Sequence, residues 1–170
     1  MRKRLLSLIC FIACAHIVVA QNKVEESKLK AAFIYNFIKY IDWNTDSTNE
    51  FTIGIIGPSP IYQSLQEIAV SKTVNDKEIV VKHFDNPDDI TFCNILFISE
   101  NDPFSLSSVL AKVGKGTLSI SEEPGLAAQG TAFNFVEVRD KLKFEANVKS
   151  INSAGLKASS QLLKLAKIVD

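Results

Sequence analysis

Residues 94–99 read NILFIS, a run whose four central residues are all apolar. A strand with one face in water alternates apolar and polar side chains, whereas a strand covered on both faces does not. Residues 51–57, FTIGIIG, are also rich in β-forming residues and end at Gly57-Pro58. Both runs therefore predict strands of a mostly parallel sheet whose two faces are covered by helices.

The segments between these runs have helical periodicity. Residues 24–41 carry apolar side chains at i, i+3 and i+4 spacing, which predicts a first helix. Ser59-Pro60 predicts an N-cap followed by a helix to about Ala69, and Asp102-Pro103 predicts a second N-cap. The buried stripe of the first helix is predicted to be Leu29, Ala32, Phe33, Phe37, Tyr40 and Ile41.

The helix that begins at Asp102 is expected to run to about Val113, with Gly114 as its C-cap. Residues 150–169 carry several leucines at helical spacing and predict one long closing helix. Leu156, Leu162 and Leu165 are among the residues of that helix expected to be available for burial.

The remaining β runs complete the sheet. Residues 78–84 and 117–121 predict single strands. Residues 131–138 and 141–148 are separated by only Arg139-Asp140, which predicts an antiparallel hairpin near the C-terminus. The sequence thus predicts a three-layer α/β fold: a mixed, mostly parallel sheet with a C-terminal hairpin and helices on both faces.

The first 20 residues have the pattern of a secretory signal peptide. Arg2, Lys3 and Arg4 precede an almost wholly apolar run to Val19, and Ala20 offers a cleavage site. The run is about 15 residues, shorter than the roughly 20 that span a bilayer. We therefore expect export to the periplasm and a single domain over residues 21–170, with an uncleaved anchor as the alternative.

Export changes the charge and cysteine content. Removal of three basic residues leaves 16 basic and 19 acidic side chains, a balance that does not favour nucleic acid as a partner. Cys10 and Cys14 leave with the signal peptide, so Cys93 has no partner for an internal disulfide. Its apolar neighbours predict a buried, unreactive thiol.

No familiar catalytic arrangement occurs in the mature sequence. It has one histidine, His83, and neither a nucleophile elbow nor a cysteine or histidine cluster for a metal. The segment Gly114-Lys115-Gly116-Thr117 lacks the earlier glycine of a phosphate loop and predicts a turn. We therefore assign no catalytic residue, metal or cofactor, and favour a binding or regulatory protein over an enzyme.

Two stretches of the sequence are more specific than a helix or strand pattern: KAAFIYNFIKYIDW at residues 30–43 and SAGLKASSQLLKLAKIV at residues 153–169. Between them lie FTIGIIG, CNILFIS, TLSISEEPG, GTAFNFVEV and KLKFEANV. In their composition and order, these motifs resemble the YfiR-like family of periplasmic proteins.

The resemblance implies a non-enzymatic repressor that binds the periplasmic part of a membrane signalling protein. The resemblance further implies that this partner is a diguanylate cyclase or a sensor kinase. Release of the repressor would then raise cyclic di-GMP and biofilm matrix. The family is often dimeric, so a homodimer is expected too. Redox-linked members carry paired cysteines, and Cys93 alone puts such switching in doubt here.

Six residues are candidates for contact with a partner or ligand. Tyr35, Lys39 and Trp43 lie off the predicted apolar stripe or beyond it, and tryptophan is enriched at the energetic centres of interfaces. Asn36, Asn134 and Asn147 are polar residues within apolar runs, where hydrogen bonding to backbone groups is the alternative role.

Two other function classes stay open. An α/β sheet offers crevices at strand ends, so the chain could be a periplasmic small-molecule binding protein. An enzyme with an unfamiliar site would have to depend on residues such as Asn147 or Glu145.

Overall fold

A central sheet organises residues 23–43 and 49–169, which are the residues described by the computed structural model. The signal peptide predicted for residues 1–20 lies outside them. Eight strands form this sheet, in the spatial order Lys167–Val169 (β10), Leu142–Asn147 (β8), Phe133–Glu137 (β7), Leu118–Ser121 (β6), Ile95–Ile98 (β5), Glu50–Ile56 (β2), Lys77–Phe84 (β4) and Thr73–Val74 (β3). Two short strands, Ile41–Asp42 (β1) and Lys157–Ala158 (β9), pair separately.

Most neighbouring strands of the sheet are parallel. Strand β2 pairs in parallel with β4 and β5, and the parallel pairing continues through β6 to β7. Strands β7 and β8 form an antiparallel hairpin in which Phe135 lies opposite Phe144. Arg139 and Asp140 both have positive φ, 52° and 57°, the conformation of a tight two-residue hairpin turn. The predicted mixed sheet and hairpin are confirmed.

Helices cover both faces of the sheet. The helices are 23–40 (α1), Ile61–Ser71 (α2), Leu106–Leu110 (α3), Val148–Ser153 (α4) and Ser160–Leu163 (α5), with a 3-10 turn at Pro87–Asp89.

Two apolar clusters place these helices in layers. Ile34 of α1 and Leu65 of α2 belong to one buried cluster with Ile53 of the central strand. Val109 of α3 belongs to a second cluster, with Ile56 and Leu96. Since neighbouring strand residues point to opposite faces, the two clusters lie on opposite sides of the sheet. The three-layer architecture is confirmed.

The contact between α1 and the hairpin is aromatic. The ring of Phe37 lies 4.8 Å from those of both Phe133 and Phe144, centre to centre. Phe33 adds edge-to-face contacts to Phe135 and Phe144 at 6.1 and 6.2 Å. Such pairs stabilise a fold beyond their buried area. Packing on the hairpin therefore explains Phe33 and Phe37, two of the five aromatic side chains in residues 30–43.

The predicted stripe of α1 is wrong at Leu29, Ala32 and Tyr40, which are all exposed. Ile34 and Ile38 are buried in their place. Both faces of the helix carry apolar residues at helical spacing, so periodicity alone did not fix which face turns inward. The helix is rotated from the predicted orientation, with Phe37 common to both.

The predicted closing helix over residues 150–169 is also wrong. Helix α4 ends at Ser153, and Gly155 follows with φ of 76°. Gly155 N–H donates to Asn152 O and Leu156 N–H to Ile151 O, the paired bonds of a Schellman cap. The chain then forms β9, α5 and β10, so Leu156 is buried whereas Leu165 is 70% exposed.

Three predicted caps differ from the observed ones. Helix α3 begins after Ser105, whose hydroxyl accepts from Ser108 N–H, and it ends at Leu110. Asp102 instead accepts from Phe104 N–H in the preceding turn, and Gly114 is not the C-cap. Ser59 accepts from Ile61 N–H at 3.3 Å, but the residue at the N-cap position of α2 is Pro60.

Candidate functional site

An open cleft lies beside the C-terminal end of α1, with a volume of about 590 Å³. Three of the six candidate residues, Tyr35, Lys39 and Trp43, line it. The opposite wall is the edge strand β3 with the turn residue Asn75. We refer to this cavity as the α1 cleft. Its size is within the range of small-molecule sites and of pockets that receive an anchoring side chain.

Tyr35 and Lys39 act as a pair because they are four residues apart on the helix. Lys39 Nζ lies 5.0 Å from the centre of the Tyr35 ring, a cation–π contact. The Tyr35 hydroxyl donates to Thr73 O at 3.4 Å, which ties α1 to the edge of the sheet. Lys39 is exposed, so its charge stays available at the mouth of the cleft.

Trp43 has a structural role as well as a place in the cleft. Its Nε1–H donates to Ile38 O at 2.8 Å, satisfying a carbonyl in the last turn of α1. Its ring meets Phe51 edge to face, 5.1 Å between centres. The indole is half-buried and packs against the main core, so part of its surface remains in the cleft.

The cleft carries both signs of charge. Asp42 lies on β1, directly after α1, and lines the same space as Lys39. Strand β1 is held by β9, with Ile41 opposite Ala158 and Asp42 opposite Lys157. The apolar floor comes from Ile38, Ile41 and Val74.

Sequence reasoning missed the half of the cleft contributed by β3. Thr73, Val74 and Asn75 form a hairpin with β4, and Asn75 and Asp76 have φ of 49° and 65°. The Asn-Asp pair at residues 75–76 is a turn signal that could have revealed this hairpin. No local pattern indicates that its edge lies beside α1, because that contact joins residues far apart in the sequence.

The other three candidates lie elsewhere. Asn36 is exposed on α1 and does not line the cleft. Asn134 and Asn147 lie on the face of the sheet opposite α1, in a buried polar layer that also contains Ser119, Ser121 and Thr131.

Hydrogen bonds account for most of the polar layer. Asn147 donates to Ala127 O at 2.8 Å and accepts from Ser150 N–H at 2.9 Å, so it caps α4 and holds the loop before β7. Ser121 Oγ donates to Asn134 Oδ1 at 2.7 Å. Asn134 Nδ2 is buried with no hydrogen-bond partner among the described residues. Asn147 thus makes structural hydrogen bonds to the backbone.

A buried ion bridge lies at the carboxyl ends of the parallel strands. Lys30 of α1 lies 2.6 Å from Glu26 and 2.7 Å from Glu122, which follows β6. Glu122 Oε1 also accepts from Glu100 N–H after β5. Burial alone would lower the pKa of Lys30, but hydrogen bonds to the two glutamates outweigh it and raise that pKa. Helix α1 therefore occupies the crevice where open α/β sheets commonly bind ligands.

The family of the chain follows from a match to a known family model. Residues 27–167 match the model described as YfiR/HmsC-like, and this span contains α1 except its first four residues, the whole sheet except its last two residues, and the α1 cleft. The chain belongs to the YfiR/HmsC-like family. The resemblance seen in the motifs of residues 30–43 and 153–169 is confirmed.

The remaining features are the helix lengths, the Cys93 thiol and the His83 imidazole. Within residues 23–43 and 49–169, none of the helices has the length and apolar character needed to cross a membrane. Cys93 is buried, and burial raises the pKa of its thiol to about 12. His83 lies on β4, where Nε2 is 3.3 Å from Gly57 O. The predicted burial of the thiol is confirmed.

Proposed function

We propose that this protein is an exported, non-enzymatic regulator that binds the periplasmic region of a membrane signalling protein and holds it inactive. The partner is a diguanylate cyclase or a sensor kinase. Loss of the regulator therefore raises cyclic di-GMP or kinase output, and biofilm matrix follows. Membership of the YfiR/HmsC-like family supports this class of function.

The observation that carries the proposal is the meeting of Tyr35, Lys39 and Trp43 in the α1 cleft. Tryptophan and tyrosine are enriched at the energetic centre of protein interfaces, and an exposed lysine beside them can add electrostatic complementarity at the rim. Lys39 can pair with a carboxylate of the partner, while the Tyr35 and Trp43 rings provide apolar surface. Because α1 anchors the core through Phe37, these three side chains are held on a rigid support.

A small-molecule binding protein is the second candidate function. The volume of the α1 cleft and the opposite charges of Lys39 and Asp42 support it. This alternative needs no membrane partner, so a ligand would raise the melting temperature of the purified protein. A regulator whose α1 cleft recognises only a protein would show no rise that Lys39→Glu abolishes.

Deletion and complementation test the regulatory proposal. We expect deletion to raise cyclic di-GMP, or kinase output, and the wild-type chain to restore the basal level. Lys39→Glu should fail to restore it, because the reversed charge would repel the carboxylate that Lys39 is proposed to bind. Periplasmic protein must be quantified alongside, since a loss of abundance would give the same phenotype.

Lys143→Glu is the matched control. Lys143 is exposed on β8, away from the α1 cleft, and the substitution changes the charge by the same amount. We expect it to complement fully. Unchanged signalling after deletion, in cells that express the proposed membrane signalling protein, would reject the regulatory proposal. Equal failure of both variants at normal abundance would reject the role of the cleft.

A further inference from the structure

A second cavity lies at the amino end of the parallel strands, between α3 and α4, with a volume of about 450 Å³. We call it the α3–α4 pocket. It lies at the opposite end of the parallel strands from the Lys30–Glu122 bridge, because Thr117 precedes β6 and Ser119 lies near its start, whereas Glu122 follows it. The pocket is therefore separate from the crevice that α1 covers.

The charge of this pocket has one sign. Lys115, in the turn before β6, and Lys149, on α4, both line it, and among the described residues no Asp or Glu side chain does. Neither lysine forms an ion pair with another described residue. In contrast, the α1 cleft contains Asp42, and the mature chain as a whole has more acidic than basic residues.

Hydrogen-bond donors lie on the floor between the lysines. Ser119 is 5% exposed; its oxygen accepts from Ala132 N–H at 2.9 Å, and its hydroxyl hydrogen has no acceptor among the described residues. Ser150 and Ser153 on α4 add two hydroxyl groups to the lining. A buried hydroxyl with an unused hydrogen is suited to an oxyanion, which accepts hydrogen bonds and donates none.

One wall of the pocket is apolar. Leu110 and Val113 at the end of α3, with Ala128 and Ala154, provide hydrocarbon surface next to the polar floor. A bare inorganic anion would leave this surface in contact with water, whereas an anion with a hydrocarbon body would cover it. The lining therefore favours an amphiphilic ligand whose charged end is a carboxylate.

We propose that the α3–α4 pocket binds a small organic carboxylate, held by Lys115, Lys149 and the Ser119 hydroxyl. The apolar part of the ligand packs on Leu110 and Val113. This inference does not depend on the proposed membrane partner, because the binding would occur in the isolated protein. It adds a ligand site to a family assignment that names none.

Titration of the purified, ¹⁵N-labelled protein with hexanoate tests the proposal. Hexanamide has the same hydrocarbon body without the charge, and inorganic phosphate has charge without the body. We expect hexanoate to shift the amide resonances of Gly114, Gly130 and Ser150 with saturation, and hexanamide and phosphate to bind at least about tenfold more weakly.

A charge-removal variant supplies the second measurement. Lys115→Gln with Lys149→Gln should weaken hexanoate binding by about tenfold or more, while Lys143→Gln should leave it unchanged. Both lysines are exposed, so folding is expected to be retained and can be verified from the same spectra. Absence of saturable shifts, equal binding of hexanoate and hexanamide, equal binding of phosphate, or unaltered affinity in the double variant would each overturn the proposal.

Discussion

Trp43→Ala is expected to destabilise the protein by about 3 kcal/mol. Truncating a fully buried tryptophan to alanine costs about 3–5 kcal/mol. Because the Trp43 indole is only half-buried, its lost packing should cost about 2 kcal/mol. Loss of the 2.8 Å hydrogen bond to Ile38 O adds about 1 kcal/mol. For a domain of this size the melting temperature should fall by roughly 6–12 °C.

Trp43→Phe separates the two contributions. Phenylalanine can keep an edge contact with Phe51 but has no N–H for Ile38 O, so the expected loss is about 1 kcal/mol. Urea unfolding should be followed by circular dichroism, because the chain has a single tryptophan and its fluorescence is lost in both variants. A loss below about 0.5 kcal/mol for Trp43→Ala would refute this reasoning and make the indole a surface anchor alone.

Three further predictions concern the backbone, a buried acid and the thiol. Gly155→Ala should lower the free energy of unfolding by about 1 kcal/mol, because φ is 76° and an added Cβ meets nothing within 4 Å. Gly57→Ala should lower it by about 2–4 kcal/mol, because the added Cβ would lie 2.9 Å from Asp102 Cα. Equal losses of unfolding free energy in urea would contradict the steric argument. Burial raises the pKa of Asp102 above 3.8, so stability and melting temperature should fall as pH rises from about 3.8 through the folded-state pKa. Asp102→Asn should stabilise the protein at pH 7 and flatten this fall in melting temperature. An unchanged pH profile in the variant would argue against this. Cys93, with a thiol pKa of about 12, should resist iodoacetamide at pH 8 in the folded protein and react readily in urea, and rapid labelling without urea would show that the thiol is accessible.

The strands of the sheet other than β3 and β10 were predictable from the sequence, because they are local signals. Continuous apolar runs such as residues 95–98 indicate burial on both faces, and the Arg139-Asp140 break indicates a hairpin. The C-terminal segment was not, because leucines at helical spacing outweighed Gly155 in the prediction. The glycine ended the helix through its positive φ, and pairing of Lys157–Ala158 with β1 then required extended chain.

The candidate site was predictable only in part. Tyr35 and Lys39 are four residues apart on α1, so helical spacing places them on one side, whereas Trp43 follows β1 and joins them only in the folded structure. Thr73 and Asn75 complete the cleft through a tertiary contact that no periodicity encodes. Asn134 and Asn147 stood out as polar residues in apolar runs, but that pattern reflected a buried polar layer rather than the cleft.

Site-specific photo-crosslinking from position 39 tests the central proposal most directly. A photoreactive residue replaces Lys39 in one strain and Lys143 in a control strain, and adducts are identified by mass spectrometry of the membrane fraction. We predict that position 39, and not position 143, crosslinks to an integral membrane protein that carries a diguanylate cyclase or kinase domain. Crosslinking of neither position to such a protein, or equal crosslinking of both, would contradict the proposal that the α1 cleft contacts a membrane signalling partner.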